Sequence, residues 1–169
     1  PDERSARFGQ RPCTLLLTGL TGAGKTTLAY ALERRLFDMG RACAVLDGQN
    51  MRRGISKDLG FTAEERSENL RRSAEVAKLL NDAGLICVGA FVAPNEAVRQ
   101  KAADVIGRDQ FLVVHLDAPI EVCRQRDQEG QYAKADREGA GTITLAVPED
   151  MQAQLGDWAV KELQKASTD

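Results

Sequence analysis

The chain has 169 residues and a formal net charge of −2 at pH 7, with 43% hydrophobic and 28% charged residues. This length suits one domain, and the weak net charge provides no general attraction to nucleic acids or anionic membranes. No uninterrupted apolar run reaches the roughly 20 residues of a membrane-spanning helix, and the first ten residues are too polar for a signal peptide. We therefore expect a cytoplasmic globular protein with no nucleic-acid or membrane partner.

Short apolar runs alternate with longer amphipathic segments, a pattern that predicts a parallel sheet wrapped by helices. We expect residues 1–11 to form an N-terminal arm or linker and residues 12–169 to form the domain. Strands are predicted at 13–18, 42–47, 85–90 and 111–116, with a weaker one at 142–147, and helices at 25–39, 62–83, 95–107, 119–129 and 149–166. The predicted class is α/β, with three layers and a mostly parallel five-stranded sheet flanked by helices.

Local signals support the helix boundaries. Gly40 falls where a C-cap glycine belongs, just before the second strand. Thr62 and Glu65 have the spacing of a capping box at the start of the long middle helix. Asp117, close before Pro119, is expected to cap the next helix rather than to take part in chemistry.

The four cysteines and the single histidine match no metal-binding spacing. Cys13, Cys43 and Cys87 fall in or beside predicted strands, and Cys123 lies near the start of a helix. We expect reduced cysteines in the core rather than disulfides or metal ligands. His115 is expected to be a strand residue near the core.

Residues 19–26 read Gly-Leu-Thr-Gly-Ala-Gly-Lys-Thr, a complete G-x-x-x-x-G-K-[ST] phosphate-binding loop (P-loop) between a predicted strand and a predicted helix. The glycines allow backbone N–H groups to face phosphate oxygens, and the helix directs its positive end at the same charge. We expect Lys25 to reach the β- and γ-phosphates and Thr26 to offer its hydroxyl to Mg²⁺. The alternative is a glycine-rich turn that fits the pattern by chance. This loop indicates a P-loop NTPase fold.

Ligands of open parallel sheets bind beyond the carboxyl ends of the strands, where the loops that follow the four clearest strands converge. Asp47 ends the second predicted strand. A carboxylate there can hold a magnesium-bound water or orient an attacking hydroxyl. The alternative is a turn aspartate, since Asp-Gly is a common pair in loops.

The next segment is rich in groups that bind anions, namely Arg52, Arg53, Arg66, Arg71 and Arg72. Arg66 and Asn69 are three residues apart on the long helix and share a face. Phe61 could offer an aromatic face for a base to stack on. The alternative is a solvated basic helix with a staple phenylalanine at its start.

Three runs of sequence together resemble the adenylylsulfate kinase family. They are Asp-Gly-Gln-Asn-Met-Arg at 47–52, Asp-Leu-Gly-Phe-Thr at 58–62 and Glu-Asn-Leu-Arg-Arg at 68–72. Cys-Arg-Gln-Arg-Asp at 123–127 resembles a further element of that family, and Arg99 matches a family arginine downstream of the third strand. With the phosphate loop, the resemblance extends from about residue 14 to residue 132.

This resemblance implies transfer of the γ-phosphoryl group of MgATP to the 3′-hydroxyl of adenylylsulfate, with ATP as co-substrate and Mg²⁺ as cofactor. It also implies a homodimer, and fusion to or association with ATP sulfurylase. The motifs and the resemblance together predict ATP binding by Gly19, Gly22, Ala23, Gly24, Lys25, Thr26, Thr27 and Arg126. They predict adenylylsulfate binding by Asp47, Arg52, Phe61, Arg66 and Asn69. Catalysis is predicted for Lys25, Asp47 and Gln49, and magnesium binding for Thr26.

The chain departs from the family pattern at three places. Gln49 stands where the family has a second aspartate, and residues 93–95 read Ala-Pro-Asn in place of Ser-Pro-Tyr. In the lid, Glu129 and Asp136 replace a lysine and an arginine, and the following family segments have no counterpart. An amide at residue 49 can position a hydroxyl but cannot accept its proton. The main prediction is therefore an adenylylsulfate kinase of reduced activity, the alternatives being a nucleotide-binding regulatory domain and a kinase for another small acceptor.

Overall fold

The computed structural model describes residues 2–127 together with residues 130, 132 and 133. The helices are α1 (Asp2–Phe8), α2 (Lys25–Asp38), α3 (Gly48–Arg53), α4 (Ala63–Asp82), α5 (Glu96–Ile106) and α6 (Ile120–Gln125). The strands are β1 (Thr14–Gly19), β2 (Cys43–Asp47), β3 (Ile86–Ala90) and β4 (Phe111–Leu116). Within this part of the chain no helix has the length and apolarity to cross a bilayer.

The four strands form a wholly parallel sheet in the order β2-β3-β1-β4. This arrangement confirms the predicted α/β class and the parallel sheet flanked by helices. The described part of the sheet has four strands rather than five. The fifth predicted strand, at 142–147, and the predicted helix at 149–166 lie outside the described residues.

Alternate residues of β1 face opposite sides of the sheet, as the period of two in a strand requires. Leu15 and Leu17 belong to a core closed by α2 and α6, whereas Leu16 belongs to a second core closed by α3, α4 and α5. Helical residues buried in the first core include Leu28, Ala29, Leu32 and Cys123. Those buried in the second include Met51, Leu70, Ala74, Ala77, Ala102 and Ile106. Since both faces of β1 are covered, its apolar run is continuous.

Most helix ends follow the sequence signals. Gly40, with φ of 72°, donates its backbone N–H to the carbonyl of Phe37 and so terminates α2. Thr62 and Glu65 form both hydrogen bonds of the capping box on α4. The prediction for Asp117 is wrong, because Pro119 occupies the N-cap position of α6 and no side chain caps that helix.

The segment after β2, expected to be a loop, is the short helix α3. Its N-cap is Asp47, whose carboxylate accepts hydrogen bonds from the backbone N–H groups of Gln49 and Asn50. The Asp-Gly pair therefore begins a helix here rather than a turn. This cap also fixes the orientation of the Asp47 carboxylate at the end of β2.

In the segment predicted to be an arm or linker, residues 2–8 form α1, which lies against the domain. The Phe8 ring covers Gly84, and the Gln10 side chain is buried. Gln10 donates to the carbonyls of Ala42 and Gly84 and accepts from the Ala42 N–H. These bonds anchor the segment beside the amino ends of β2 and β3.

All four cysteines are free thiols, and Cys87 and Cys123 are buried in the two cores. Burial raises the pKa of the Cys87 thiol to about 12. A thiol with so high a pKa is a packing residue rather than a nucleophile. His115 is partly buried in β4, as expected.

Candidate nucleotide-binding site

A cleft of about 860 Å³ lies beyond the carboxyl ends of the strands. Its walls are the phosphate loop, the start of α3, the amino-terminal half of α4 and the loop after β3. The predicted site residues that line it are Gly22, Ala23, Gly24, Lys25, Thr26, Thr27, Asp47, Gln49, Arg52, Phe61, Arg66, Asn69 and Arg126. The fold therefore brings together residues from four separate segments of the sequence.

Gly19 is the one predicted site residue that does not line the cleft. A Cβ atom at this position would lie 2.6 Å from the Leu116 carbonyl oxygen, and the φ of Gly19 is 145°. Glycine is required here because the loop leaves β1 in direct contact with the end of β4. Gly19 therefore sets the direction in which the phosphate loop leaves β1.

Lys25 lies inside the phosphate loop. Its Nζ donates hydrogen bonds to the carbonyl oxygens of Gly19 at 3.0 Å and Leu20 at 2.7 Å. Burial lowers the pKa of the amine to about 8, although the carboxylate of Asp47 acts in the opposite direction. A buried cation held only by carbonyl dipoles is favourably placed to gain from an anionic ligand.

Thr26 and Asp47 form the contact between the phosphate loop and β2. The Thr26 hydroxyl donates to Asp47 Oδ2 at 2.5 Å, while Asp47 Oδ1 caps α3. Hydroxyl and carboxylate oxygens are the ligands that Mg²⁺ prefers, and it is commonly held by few protein groups together with substrate phosphates. The oxygen chemistry of Thr26 and Asp47 therefore fits magnesium held mainly by substrate phosphates, and the described residues contain no group of three or more His, Cys, Asp and Glu side chains that could hold a metal ion by themselves.

The opposite wall of the cleft carries Arg52 and Phe61. The guanidinium of Arg52 lies 4.7 Å from the centre of the Phe61 ring and donates to the carbonyls of Gly60 and Gly48, both at 3.2 Å. Burial and, secondarily, the charge of Arg66 lower the pKa of Arg52. Phe61 is 62% exposed, so its ring is a free aromatic face and not a buried staple.

Arg66 and Asn69 complete this wall from α4. The Arg66 side chain is exposed and forms no ion pair with any described residue, so two positive charges converge where Arg52 and Arg66 meet. Asn69 is 1% exposed and donates through Nδ2 to the Gly48 carbonyl at 3.4 Å, but its Oδ1 has no partner among the described groups. Buried polar atoms normally have a partner, so Asn69 Oδ1 has an unused capacity to accept a hydrogen bond beside the cleft.

The remaining arginines of this basic segment lie outside the cleft, which agrees with the alternative of a solvated basic surface for them. Arg71 is paired with Glu68 and Glu75, and Arg72 with Asp58 and Glu68. Arg53 is exposed and does not line the cleft. The number of arginines in this segment of the sequence is therefore larger than the number that can reach a ligand in the cleft.

Sequence reasoning did not identify the residues that hold the loop after β3 in place. Ala93 has φ of 36°, an uncommon conformation for a residue with a side chain. The Thr18 hydroxyl donates to the Val92 carbonyl at 2.5 Å, and Arg99 donates to the carbonyls of Ala93 at 2.7 Å and Pro94 at 2.9 Å. Arg99 thus supports the cleft wall without lining it. The available signals were the Ala-Pro pair, since proline restricts the residue before it, and the match of Arg99 to a family arginine, which gave no role for the residue.

Tyr132 is a second residue that sequence reasoning missed. Its hydroxyl donates to the Thr21 carbonyl at 2.6 Å, and its ring lies 5.4 Å from the Arg124 guanidinium. The start of the lid region therefore contacts the phosphate loop directly. The two charge reversals predicted to matter in the lid, Glu129 and Asp136, lie outside the described residues.

Comparisons with known proteins bear on the family and the fold of this chain. The family model described as adenylylsulphate kinase matches residues 11–147. The chain is 64% identical over 135 residues to a bifunctional enzyme CysN/CysC of Rhodopirellula baltica, covering 80% of this chain and 21% of that protein. It is 52% identical over 132 residues to an adenylyl-sulfate kinase of Shewanella pealeana, covering 78% of this chain and 64% of that one.

Among solved structures, the APS kinase CysC of Mycobacterium tuberculosis in complex with AMPPNP and APS superposes with a TM-score of 0.74 at 34% identity. The match covers 92% of this chain and 98% of that chain. Since this chain spans about a fifth of the bifunctional relative and less than two thirds of the Shewanella kinase, the comparisons concern part of those proteins.

Proposed function

Because this chain belongs to the adenylylsulphate kinase family, we propose that it transfers the γ-phosphoryl group of ATP to the 3′-hydroxyl of adenylylsulfate, releasing ADP and 3′-phosphoadenylylsulfate. The observation that carries this proposal is the composition of the cleft. One wall is a complete phosphate loop, and the facing wall presents Arg52, Phe61, Arg66 and Asn69. Such a cleft can hold a nucleoside triphosphate and a second anionic nucleotide side by side.

On the ATP side, the phosphate loop supplies backbone N–H groups and the amino end of α2. Lys25 exchanges its two carbonyl partners for phosphate oxygens and neutralises negative charge during transfer. Arg126 lines the same cleft and is proposed to contact ATP.

Thr26 and Asp47 are proposed to hold magnesium. When bound, Mg²⁺ neutralises charge on the phosphate oxygens. Asp47 is the single carboxylate among the described residues that line the cleft. Its capping bonds to α3 keep that carboxylate at the end of β2, facing the hydroxyl of Thr26.

On the acceptor side, the two guanidinium groups of Arg52 and Arg66 suit the phosphate and sulfate oxygens of adenylylsulfate. The exposed Phe61 ring suits the adenine face, and Asn69 Oδ1 is an acceptor without a partner in the described part of the chain. Together these groups position the acceptor. Catalysis of phosphoryl transfer depends almost entirely on positioning and electrostatic stabilisation.

A second candidate is a regulatory domain that binds nucleotides but has weakened chemistry. Gln49 favours it, because this neutral amide lines the cleft where an acceptor hydroxyl needs a group that can take its proton. Both candidates are compatible with fusion to or association with ATP sulfurylase, and we expect a homodimer in either case.

The experiment is the adenylylsulfate-dependent release of ADP from MgATP by purified protein, with the product identified by mass. Formation of 3′-phosphoadenylylsulfate supports the kinase. A Lys25→Ala variant is expected to lose turnover and to keep the fold, as measured by circular dichroism. Nucleotide binding without the 3′-phosphorylated product would overturn the kinase proposal and favour the regulatory domain.

A further inference from the structure

Arg72 lies outside the cleft, yet its guanidinium joins α4 to the loop of residues 54–60, which leads to Phe61. Nη1 donates to the Ile55 carbonyl at 2.9 Å and to Asp58 Oδ1 at 2.6 Å, and Nη2 donates to Asp58 Oδ2 at 2.8 Å. Nε donates to Glu68 Oε1 at 2.9 Å. One side chain therefore bonds to a backbone carbonyl and a carboxylate of the loop and to a carboxylate of its own helix.

The other bonds of the 54–60 loop hold its ends. The Ser56 N–H donates to the Met51 carbonyl, which ties the beginning of the loop to α3. At the other end, the Gly60 carbonyl accepts from Arg52 Nε, and the Glu65 carboxylate at the start of α4 accepts from the Gly60 backbone. Lys57 and Leu59 donate their N–H groups only within the loop. The middle of the loop is thus held to the body of α4 through Arg72.

The parts joined by Arg72 are the parts that form the acceptor wall of the cleft. α4 carries Arg66 and Asn69, whereas the loop continues into Phe61 and bonds to Arg52 through Gly60. Arg72 follows Asn69 by three residues, so the two side chains leave neighbouring positions of the helix. A shift of the loop along α4 would move Phe61, and the Gly60 carbonyl that accepts from Arg52, relative to Asn69.

We propose that Arg72 is a positioning residue for acceptor recognition, fixing the 54–60 loop so that Phe61 and Arg52 are held at a set distance from Arg66 and Asn69. This inference rests on the proposed function, because it takes the acceptor nucleotide as the ligand of that wall. Arg72 itself does not line the cleft. It acts through the Asp58 carboxylate and the Ile55 carbonyl.

Arg71 shows why this role is not general to the ion pairs of α4. Arg71 also bonds to Glu68, at 2.7 and 2.9 Å, and reaches Glu75 at 3.3 Å, but all these contacts stay within the helix. Its side chain is 50% exposed, against 25% for Arg72. Exposed ion pairs of this kind contribute little to stability. Arg71 is therefore a matched control with the same residue type, helix and shared partner.

The test compares Arg72→Lys with Arg71→Lys. Lysine keeps the charge but cannot reproduce the guanidinium fork. In Arg72→Lys, hydrogen exchange at the bonded amides of Ser56, Lys57 and Leu59 is expected to accelerate by about tenfold or more. The KM for adenylylsulfate is expected to rise by roughly tenfold, with the KM for ATP unchanged, because only the acceptor wall is displaced. Arg71→Lys is expected to match the wild type in all three measurements.

Asp58→Asn provides a second variant that weakens the same contact from the loop side. Its effects on hydrogen exchange and on the KM for adenylylsulfate are expected to resemble those of Arg72→Lys. Because the two residues act through one contact, the double variant is expected to change these quantities no more than the more severe single variant does. Independent, additive effects would overturn the proposal. So would an equal rise in both KM values, which would indicate a general structural defect.

The two proposals fail separately. If the wild type forms no 3′-phosphorylated product, the proposed function fails, and calorimetric binding of adenylylsulfate together with hydrogen exchange still tests Arg72. An Arg72→Lys protein that exchanges and binds like Arg71→Lys would overturn the positioning role even in an active kinase. A wild type that does not bind adenylylsulfate would overturn both.

Discussion

The Thr26 hydroxyl donates a hydrogen bond to Asp47 Oδ2 across 2.5 Å, so the phosphate loop and the end of β2 meet at one oxygen pair. The second carboxylate oxygen of Asp47 caps α3. Asp47 therefore caps α3 and, in the proposed function, also holds magnesium. An uncharged acceptor suffices for the cap, whereas a carboxylate charge favours the metal.

Asp47→Asn separates these duties. The amide oxygen can still accept from the N–H groups of Gln49 and Asn50, so the melting temperature is expected to stay close to that of the wild type. Turnover is expected to fall by roughly 10²–10³-fold, the size reported for loss of one electrostatic group in an active site. The measurement is ADP release as a function of Mg²⁺ concentration. An unchanged magnesium dependence would place the metal elsewhere.

The lowered pKa of Lys25 predicts that stability and ATP affinity change in opposite directions as the pH rises. Burial lowers the pKa of the amine to about 8 from its usual value of 10.5, so between these values the unfolded chain carries the proton and the folded chain does not. The stability of the nucleotide-free protein is therefore expected to rise with pH across this window, by up to about 3 kcal/mol. Below pH 8 both states are protonated and the trend stops.

ATP affinity is expected to fall above pH 8, by up to about tenfold per pH unit, because the neutral amine no longer pairs with phosphate. Calorimetric titration with MgATP from pH 7 to pH 10 measures this change. Lys25→Met serves as the control for the stability trend, since it has no titrating amine at this position. A wild-type stability profile identical to that of Lys25→Met would contradict the lowered pKa.

Truncation of Phe61 is expected to weaken the binding of the acceptor, adenylylsulfate, and not the binding of ATP. Its ring is 62% exposed and contacts the Arg52 guanidinium, so truncation leaves the core intact. Stacking of a base on an aromatic side chain contributes about 1–3 kcal/mol, which corresponds to roughly 5–150-fold in affinity. Phe61→Ala is expected to raise the KM for adenylylsulfate within that range and to leave the KM for ATP unchanged.

Phe37 is the matched control for this experiment. It is 67% exposed and also lies under an arginine, Arg34, at 5.7 Å, but it does not line the cleft. Phe37→Ala is expected to leave both KM values at wild-type levels. Equal effects of the two substitutions would show that an exposed ring beside an arginine, rather than the cleft, explains the result.

The sequence predicts the scaffold well because the scaffold is set by local periodicity. The predicted strand at 111–116 coincides with β4, and α4 begins at the predicted capping box. The helix α3 was not predicted, because Asp-Gly favours turns and its cap depends on where β2 ends. Whether an Asp-Gly pair begins a helix or a turn therefore depends on contacts between segments, which local sequence does not show.

The candidate site is predicted less evenly. Arg66 and Asn69 are correctly placed on one face of α4, because their spacing fixes that relation. The path of residues 54–60 is not encoded in helical spacing, and it is this loop that engages Arg72. Sequence reasoning thus identifies groups suited to bind anions, whereas the fold determines which of them remain available.

Gln49 gives the prediction that bears most directly on activity. The residue is exposed on α3, lines the cleft and donates its backbone N–H to Asp47. Substitution by aspartate retains this backbone contact and adds a carboxylate able to accept a proton. General-base assistance typically contributes 10²–10⁴-fold, but phosphoryl transfer depends more on positioning and charge neutralisation. We therefore expect Gln49→Asp to raise kcat by about tenfold, below the usual range for general-base assistance.

Single-turnover rates of ADP formation measure this change, because they isolate the chemical step from product release. Gln49→Asn is the control, since it keeps an amide and alters only its reach. If a proton acceptor limits the rate, Gln49→Asp is faster than both the wild type and Gln49→Asn. If Gln49→Asp and Gln49→Asn are equally slow, the hydroxyl is positioned by the length of the Gln49 side chain, and the missing carboxylate does not limit this protein.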